Sequence, residues 1–359
     1  MKRLLAFTLA LTLTHCSQEI PPSNQPVASL NPARDFRPVE GEADVDDIAR
    51  FLAGRPVRHG SQLSRRQIRD GDYHTHALTM DMRWRNAGSK RTTRQAQYYY
   101  TTTRQAMGSP STVVYPFGGP DIIHATSMFP KASTYVLLGL EKVGSVPDPA
   151  AGSSGALLGS LARVLEEPIL HGYFITEEMR KAPPATPILL ASLGIMGAEV
   201  QSVSGIDAAG RQGVDIRFRG PQGGSKRVIY VSADLSNSGF DGSFQSWLDQ
   251  FSGGAAYFKA ASYLPHDPAF TGVRDWVLNK SKVVLQDDSG IPFDRFDSGS
   301  WNTTLLGSYE RPIPLFAQFR QPELAAAYAS IGGRGAEIPF GSGYHMRASQ
   351  ANLQVHRRR

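Results

Sequence analysis

Two short stretches hold the side chains best suited to chemistry. QDDSGIPF (286–293) places two carboxylates, Asp287 and Asp288, directly after an apolar run. In an extended strand adjacent side chains point to opposite faces, so only one of the pair would face a given site. In a loop both can turn toward a hard cation such as Mg²⁺ or Ca²⁺, which takes carboxylate oxygens. Burial or a neighbouring carboxylate also raises a carboxyl pKa and suits it to general-base work. The competing role is a tight turn, with Asp288 or Ser289 bonding the backbone and Gly290–Ile291–Pro292 redirecting the chain. KAASYLPHD (259–267) brings Lys259, Ser262, Tyr263 and His266 close together. Lys259 can bind an anionic group or lower a neighbour's pKa, and His266 can act as a general acid or base. A loop or cap role is the alternative for His266.

Further candidates stand where apolar runs end. YPFGGPD (115–121) supplies Gly118, Gly119 and Asp121; YVLLGLE (135–141) ends in Glu141; RVIYVSAD (227–234) ends in Asp234. The paired glycines permit close backbone approach and positive φ, and a helix N-terminus behind them can hold an anion. Open α/β sheets bind ligands beyond the carboxyl ends of their strands, so these five residues form a candidate ligand-binding set. A structural turn is the alternative for PFGGP. HTH (74–76) has metal-ligand types. On a helix, however, His74 and His76 are two apart and face different ways, so a structural role is expected. No G-x-S-x-G, H-E-x-x-H, P-loop or paired C-x-x-C pattern occurs.

The elements that must position these residues alternate. Strands are expected at 112–115, 134–140, 200–206, 214–219, 227–233, 255–260 and 282–286. Helices are expected at 120–129, 153–166, 176–181, 187–197, 243–251, 269–280 and 322–331. Strands alternating with helices predict an α/β fold with a Rossmann-like mixed sheet flanked by helices. The three consecutive strands from 200 to 233 predict an antiparallel extension, turning at 207–210 and 221–224. Ahead of this, ADVDDIARFLAG (43–54) predicts a short helix that Asp44 or Asp46 can cap and Gly54 can stop. Residues 62–106 carry Tyr73, Ala77, Met80 and Trp84 at helical spacing, which predicts one or two long helices. Gly88 should weaken or bend them, and the β-type run YYYTTT (98–103) leaves their end open.

The N-terminus MKRLLAFTLALTLTHCSQ has a basic start and an apolar run of about half the ~20 residues a spanning helix needs. It predicts a secretory signal over 1–15. Cys16, the single cysteine, resembles the lipidated cysteine of bacterial lipoproteins, although His15 departs from the small residue normal before it. The resemblance implies a membrane anchor through lipid on Cys16, in the periplasm or on the outer membrane; an ordinary signal peptide with an incidental Cys16, and so a secreted protein, is the alternative. Residues 16–41 then read as a Pro-, Ser- and Asn-rich tether, 42–110 as a basic helical segment, and 111–359 as the α/β domain. With Cys16 lipidated no other thiol is left, so neither a disulfide framework nor a disulfide-linked partner is expected.

The chain has 38 basic and 32 acidic residues, but the excess is local: residues 55–104 hold 11 and 3. Such a patch can face an anionic envelope component or be a solvated helix face. No nucleic-acid motif accompanies it.

The strand–Gly-Gly–helix–strand–acid order of 113–141 resembles the start of an S-adenosylmethionine-dependent methyltransferase or another Rossmann-like domain. That resemblance would give Glu141 a ribose-binding role. The loop departs from the pattern: PFGGP lacks G-x-G spacing, and Pro116 and Pro120 each remove an amide donor. YPFGGPD, YVLLGLE, KAASY, QDDSGIP, LGSYERPI and SQANLQ together resemble a group of uncharacterised exported bacterial proteins, which implies a coherent domain and transfers no catalytic role.

Two function classes follow. An envelope binding or structural protein is favoured, in which the polar groups are scattered or committed to internal hydrogen bonds. The alternative is a carboxylate-dependent hydrolase or transferase, with or without the help of a divalent cation. It requires two carboxylates and Lys259 or His266 in one pocket. A methyltransferase-like fold retaining a nucleotide-type ligand is a weaker third.

Overall fold

The computed structural model describes residues 44–359, apart from 59, 150–153, 176–178, 180 and 181. The signal, Cys16, the tether to residue 41 and most of the helix expected at 176–181 lie outside the described residues.

The architecture is α/β. Nine strands form one mixed sheet: β1 (Thr112–Tyr115), β2 (Thr134–Gly139), β3 (Glu199–Asp207), β4 (Gln212–Arg219), β5 (Ser225–Ser232), β6 (Ala255–Phe258), β7 (Val283–Gln286), β8 (Trp301–Gly307) and β9 (Asn352–Arg358). Their order is β3-β4-β5-β2-β1-β6-β7-β9-β8. The five central strands are parallel. The pairs β3/β4 and β4/β5 are antiparallel on one flank, as are β7/β9 and β8/β9 on the other. The expected turns are present: Ala209 and Gly210, then Gly223 and Gly224, have positive φ, which suits tight hairpin connections. Strands β8 and β9 were not expected. WNTTLLG is exposed at Asn302–Thr304, and NLQVHRR buries polar Asn352, Gln354 and His356, so neither shows a clean apolar alternation.

Alternation along the central strands sends side chains to two cores. Val113, Tyr115, Tyr135, Leu137, Tyr230, Tyr257 and Leu285 share one cluster with the N-terminal helices. Val114, Val136, Leu138, Ile229, Ala256, Phe258 and Val284 share the other with helices Gly242–Leu248 and Thr271–Lys280. The helical N-terminal segment is therefore part of the first core. Helix Val45–Leu52 is capped by Asp44, whose side chain accepts the Asp46 N–H. After helix Gln62–Arg69, the chain runs from Gly71–Arg83 through a π-turn at Trp84–Gly88 to Ser89–Tyr98. A second π-turn at Tyr99–Thr103 leads to Arg104–Met107. YYYTTT thus stays helical against its β-propensity, because Tyr98, Tyr99 and Thr103 are buried and packing overrides propensity. Gly88 sits in the first π-turn, where a Cβ would lie 2.4 Å from the Trp84 ring.

Helix Ala185–Ile195 is buried at every position, as its sequence ATPILLASLGI requires. Gly194 lets it approach helix Val45–Leu52: a Cβ there would stand 2.4 Å from Ala49 O and 2.8 Å from Ala53 Cβ. Gly194→Ala should cost about 1–3 kcal/mol by overpacking. Gly159→Ala, at an open helical position, should be neutral or gain up to about 1 kcal/mol. Denaturant unfolding of both variants checks this.

Candidate functional site

The strand order reverses at β1, between its parallel neighbours β2 and β6, which is where open α/β sheets form a crevice. A cavity of about 370 Å³ opens there, at the carboxyl ends of β1, β2, β5 and β6. Gly118 and Gly119, Gly139 and Glu141, Asp234, Ser262 and Tyr344 supply its polar and backbone surfaces. Phe117, Leu140, Leu235 and Phe270 supply apolar walls. A larger cavity, about 530 Å³, lies at the opposite edge of the sheet between the long helices and the β4–β5 turn. Its lining mixes Ser and Thr hydroxyls with apolar side chains and holds no acidic residue, and its Lys226 already donates to Pro130 O and Ala132 O. Of these two cavities the crevice is the better candidate, because it brings acidic groups and strained backbone together.

Among the described residues five non-glycines have positive φ, and four surround this crevice: Phe117 at 61°, Ala260 at 50°, Ser262 at 52° and Tyr263 at 55°. Such residues cost of order 1–3 kcal/mol each and persist where their surroundings over-determine them. The surroundings here are the QDDSG loop and Tyr344. Ala260 N–H donates to Asp287 Oδ2 at 2.9 Å, and Ala261 N–H to Ser289 Oγ at 2.8 Å. Ser262 N–H donates to Tyr344 Oη at 3.1 Å, whose own proton goes to Ala260 O at 2.9 Å. Tyr263 donates to Asp288 Oδ2 at 2.5 Å. Gly343, at φ 54°, passes so close that a Cβ would fall 1.7 Å from Asp287 Oδ2.

The structure separates the expected site residues into two sets. Gly118, Gly119, Glu141 and Asp234 line the crevice. Glu141 is held in place: Tyr230 donates to Oε2 at 2.8 Å, and only glycine fits at 139, where a Cβ would stand 2.4 Å from that oxygen. Asp234 closes its own turn, accepting the Ser236 N–H and hydroxyl. Asp121, Lys259, Asp287 and Asp288 are instead buried beneath the crevice. Asp121 caps helix Ile122–Met128 through the His124 N–H, so a carboxylate occupies the helix end where an anion was expected. Asp121 also pairs with Lys259 at 2.5 Å.

Asp287 and Asp288 fit a cation poorly. Asp287 Oδ1 accepts the Ser289 N–H and hydroxyl; Asp288 Oδ1 accepts Asn352 Nδ2 at 3.0 Å, with His345 Nε2 at 3.3 Å. Among the described residues no three His, Cys, Asp or Glu are grouped to hold a metal ion. His266 does not reach the crevice. Its ring packs on Tyr263 and Phe319, and burial depresses its pKa to about 4. His76 is buried against Leu52 O, while His74 is exposed. The charge of the basic segment is widely engaged: Arg58 meets Asp44 and Asp47, Arg83 meets Glu166, and Arg91 donates to His171 O and Leu170 O.

Sequence reasoning missed Tyr344, Tyr230, His345 and Asn352. Only the glycines of PFGSGY hint at Tyr344, by marking a backbone that must pass close to something.

Burial and the adjacent Asp288 raise the Asp287 carboxyl to about 6. Burial would raise Asp288 too, but the bond and charge of His345, with Tyr263 and Asn352, hold it below its ordinary value. Burial lowers Lys259 against the pull of Asp121; Asp121 is lowered in turn, its burial outweighed by Lys259.

No family model, no curated protein and no solved structure matches the chain. Among the described residues no helix is long and apolar enough to cross a membrane.

With a raised Asp287 pKa, the folded state binds more protons than the unfolded state between the ordinary carboxyl range and about pH 6. Stability from this group is present below that window and is lost as pH rises through it. Asp287→Asn should therefore flatten the fall in melting temperature between pH 4 and 7, as thermal unfolding across that range would reveal.

Proposed function

We propose that the protein is an envelope-anchored binding protein whose crevice takes a small, phosphate-free polyhydroxylated ligand of nucleoside type, neutral or cationic. The carrying observation is Glu141, fixed by Tyr230 and by Gly119 and Gly139 at the rim of the only strained crevice among the described residues. A fixed carboxylate accepts a pair of hydroxyls well, and Phe117, Leu235 and Phe270 offer flat apolar contact for a base. Phosphate is disfavoured, because Asp121 fills the helix end and, among the described residues, no lysine or arginine lines the crevice. The methyltransferase-like run through Glu141 supports the same ligand class. The binding role is preferred to a hydrolase or transferase because Lys259 and His266 stay out of the pocket that holds Glu141 and Asp234. Export and lipidation rest on the basic–apolar–Cys16 pattern.

Adenosine and S-adenosylmethionine serve as probes, with ATP as the phosphate-bearing control. A ligand at about 100 times its dissociation constant should add roughly 2.7 kcal/mol of stability. The expected result is a thermal shift with either nucleoside, none with ATP, and loss of the shift in Glu141→Ala. Silence with both nucleosides, or a shift that survives Glu141→Ala, would sink the reading.

A further inference from the structure

The Asp121–Lys259 contact lies below the crevice, and neither side chain lines it. The Lys259 and Asp121 side chains are 3% and 2% exposed, and Nζ stands 2.5 Å from Oδ2. Tyr115 donates to the same oxygen at 3.2 Å. The other oxygen, Oδ1, accepts the His124 N–H at 3.2 Å. A third carboxyl lies nearby without bonding to Nζ. Lys259 follows β6 and Asp287 follows β7, and these strands run parallel in register at Phe258 and Gln286. By alternation both side chains leave on the face that carries Tyr257 and Leu285, and the Asp287 charge acts on Lys259. The rings of Tyr115 and Tyr257, 4.6 Å apart, close the chamber. All five side chains are buried.

A fully buried ion pair must repay the desolvation of both charges. Condensation removes both. A nucleophile, a carbonyl carbon, an oxyanion donor and a donor on the leaving oxygen are together in one dry site, where fixed proximity replaces a bimolecular encounter.

We infer that Lys259 and Asp121 condense to an intramolecular isopeptide bond with the loss of one water. One ammonium proton passes from Nζ to Asp121 Oδ2 along their 2.5 Å contact, leaving a neutral amine beside a neutral carboxyl. The Nζ lone pair attacks Cγ of Asp121, and Oδ1 takes the negative charge against the His124 N–H. The second proton passes from Nζ to Oδ2 as the Cγ–Oδ2 bond breaks and the carbonyl re-forms at Oδ1. Both protons depart with Oδ2 as water, Tyr115 holding the oxygen as it goes. One N–H stays on the amide, and no oxidant or reductant enters.

The test is mass spectrometry of the full purified chain after proteolysis. A branched peptide joining the segments around 121 and 259, lighter than their sum by one water, is expected. Asp121→Asn should give the same branched peptide with ammonia lost in place of water. Lys259→Arg should give two linear peptides from a chain whose circular dichroism remains that of a folded protein. Recovery of residues 121 and 259 only in separate linear peptides from the folded wild-type chain would overturn the bond. A branched peptide at residue 121 from Lys259→Arg would overturn the assignment to Lys259. The readout is independent of any ligand, so it stands apart from the binding test.

Discussion

The carboxylate of Asp287 beneath the N–H of Ala260 is the contact on which the crevice depends. The chain leaves β6 in a conformation that L-residues avoid, and no glycine relieves it. A backbone held this way needs fixed acceptors for its amides. The QDDSG loop supplies them because β7 lies next to β6 in the sheet, so the residues after each strand emerge side by side. Gln286 completes the arrangement by clamping the loop at both ends of Ile291, accepting its N–H and donating to its carbonyl. The two acids of this loop are therefore architectural, and the wall they hold is what a ligand would meet.

That division explains how far the site could be read from sequence. Glu141, Gly118 and Gly119 were legible because they follow apolar runs, and the carboxyl ends of parallel strands converge by topology alone. Asp287 and Asp288 were conspicuous by type, but their role was not. Whether an acid faces water or a backbone amide depends on the neighbouring strand, and the pairing of β6 with β7 is not local information. His345 and Asn352 were invisible because they come from a terminal segment whose strand buries polar residues.

The fold was more legible than the site. The central strands, short and built around apolar runs, announce themselves, and so do the glycine turns of the antiparallel flank. Strands β8 and β9 hid because their pattern answers to each other rather than to an apolar face: Thr303 meets His356, and Gln354 meets His356 and Gln286. The YYYTTT helix shows the reverse case, in which a local preference is overruled by burial.

The sheet ends on one side in β3, whose residues are mostly exposed and whose pairing with β4 slips between Val200 and Ser202. An unpaired edge is a template on which a second chain can add a strand. Here the slip bends the ladder, and Gln201, Ser202 and Ser204 offer a stranger no apolar surface. The strand that contributes least to the core thus guards the molecule against aggregation, and replacing its polar residues with valine would open that route.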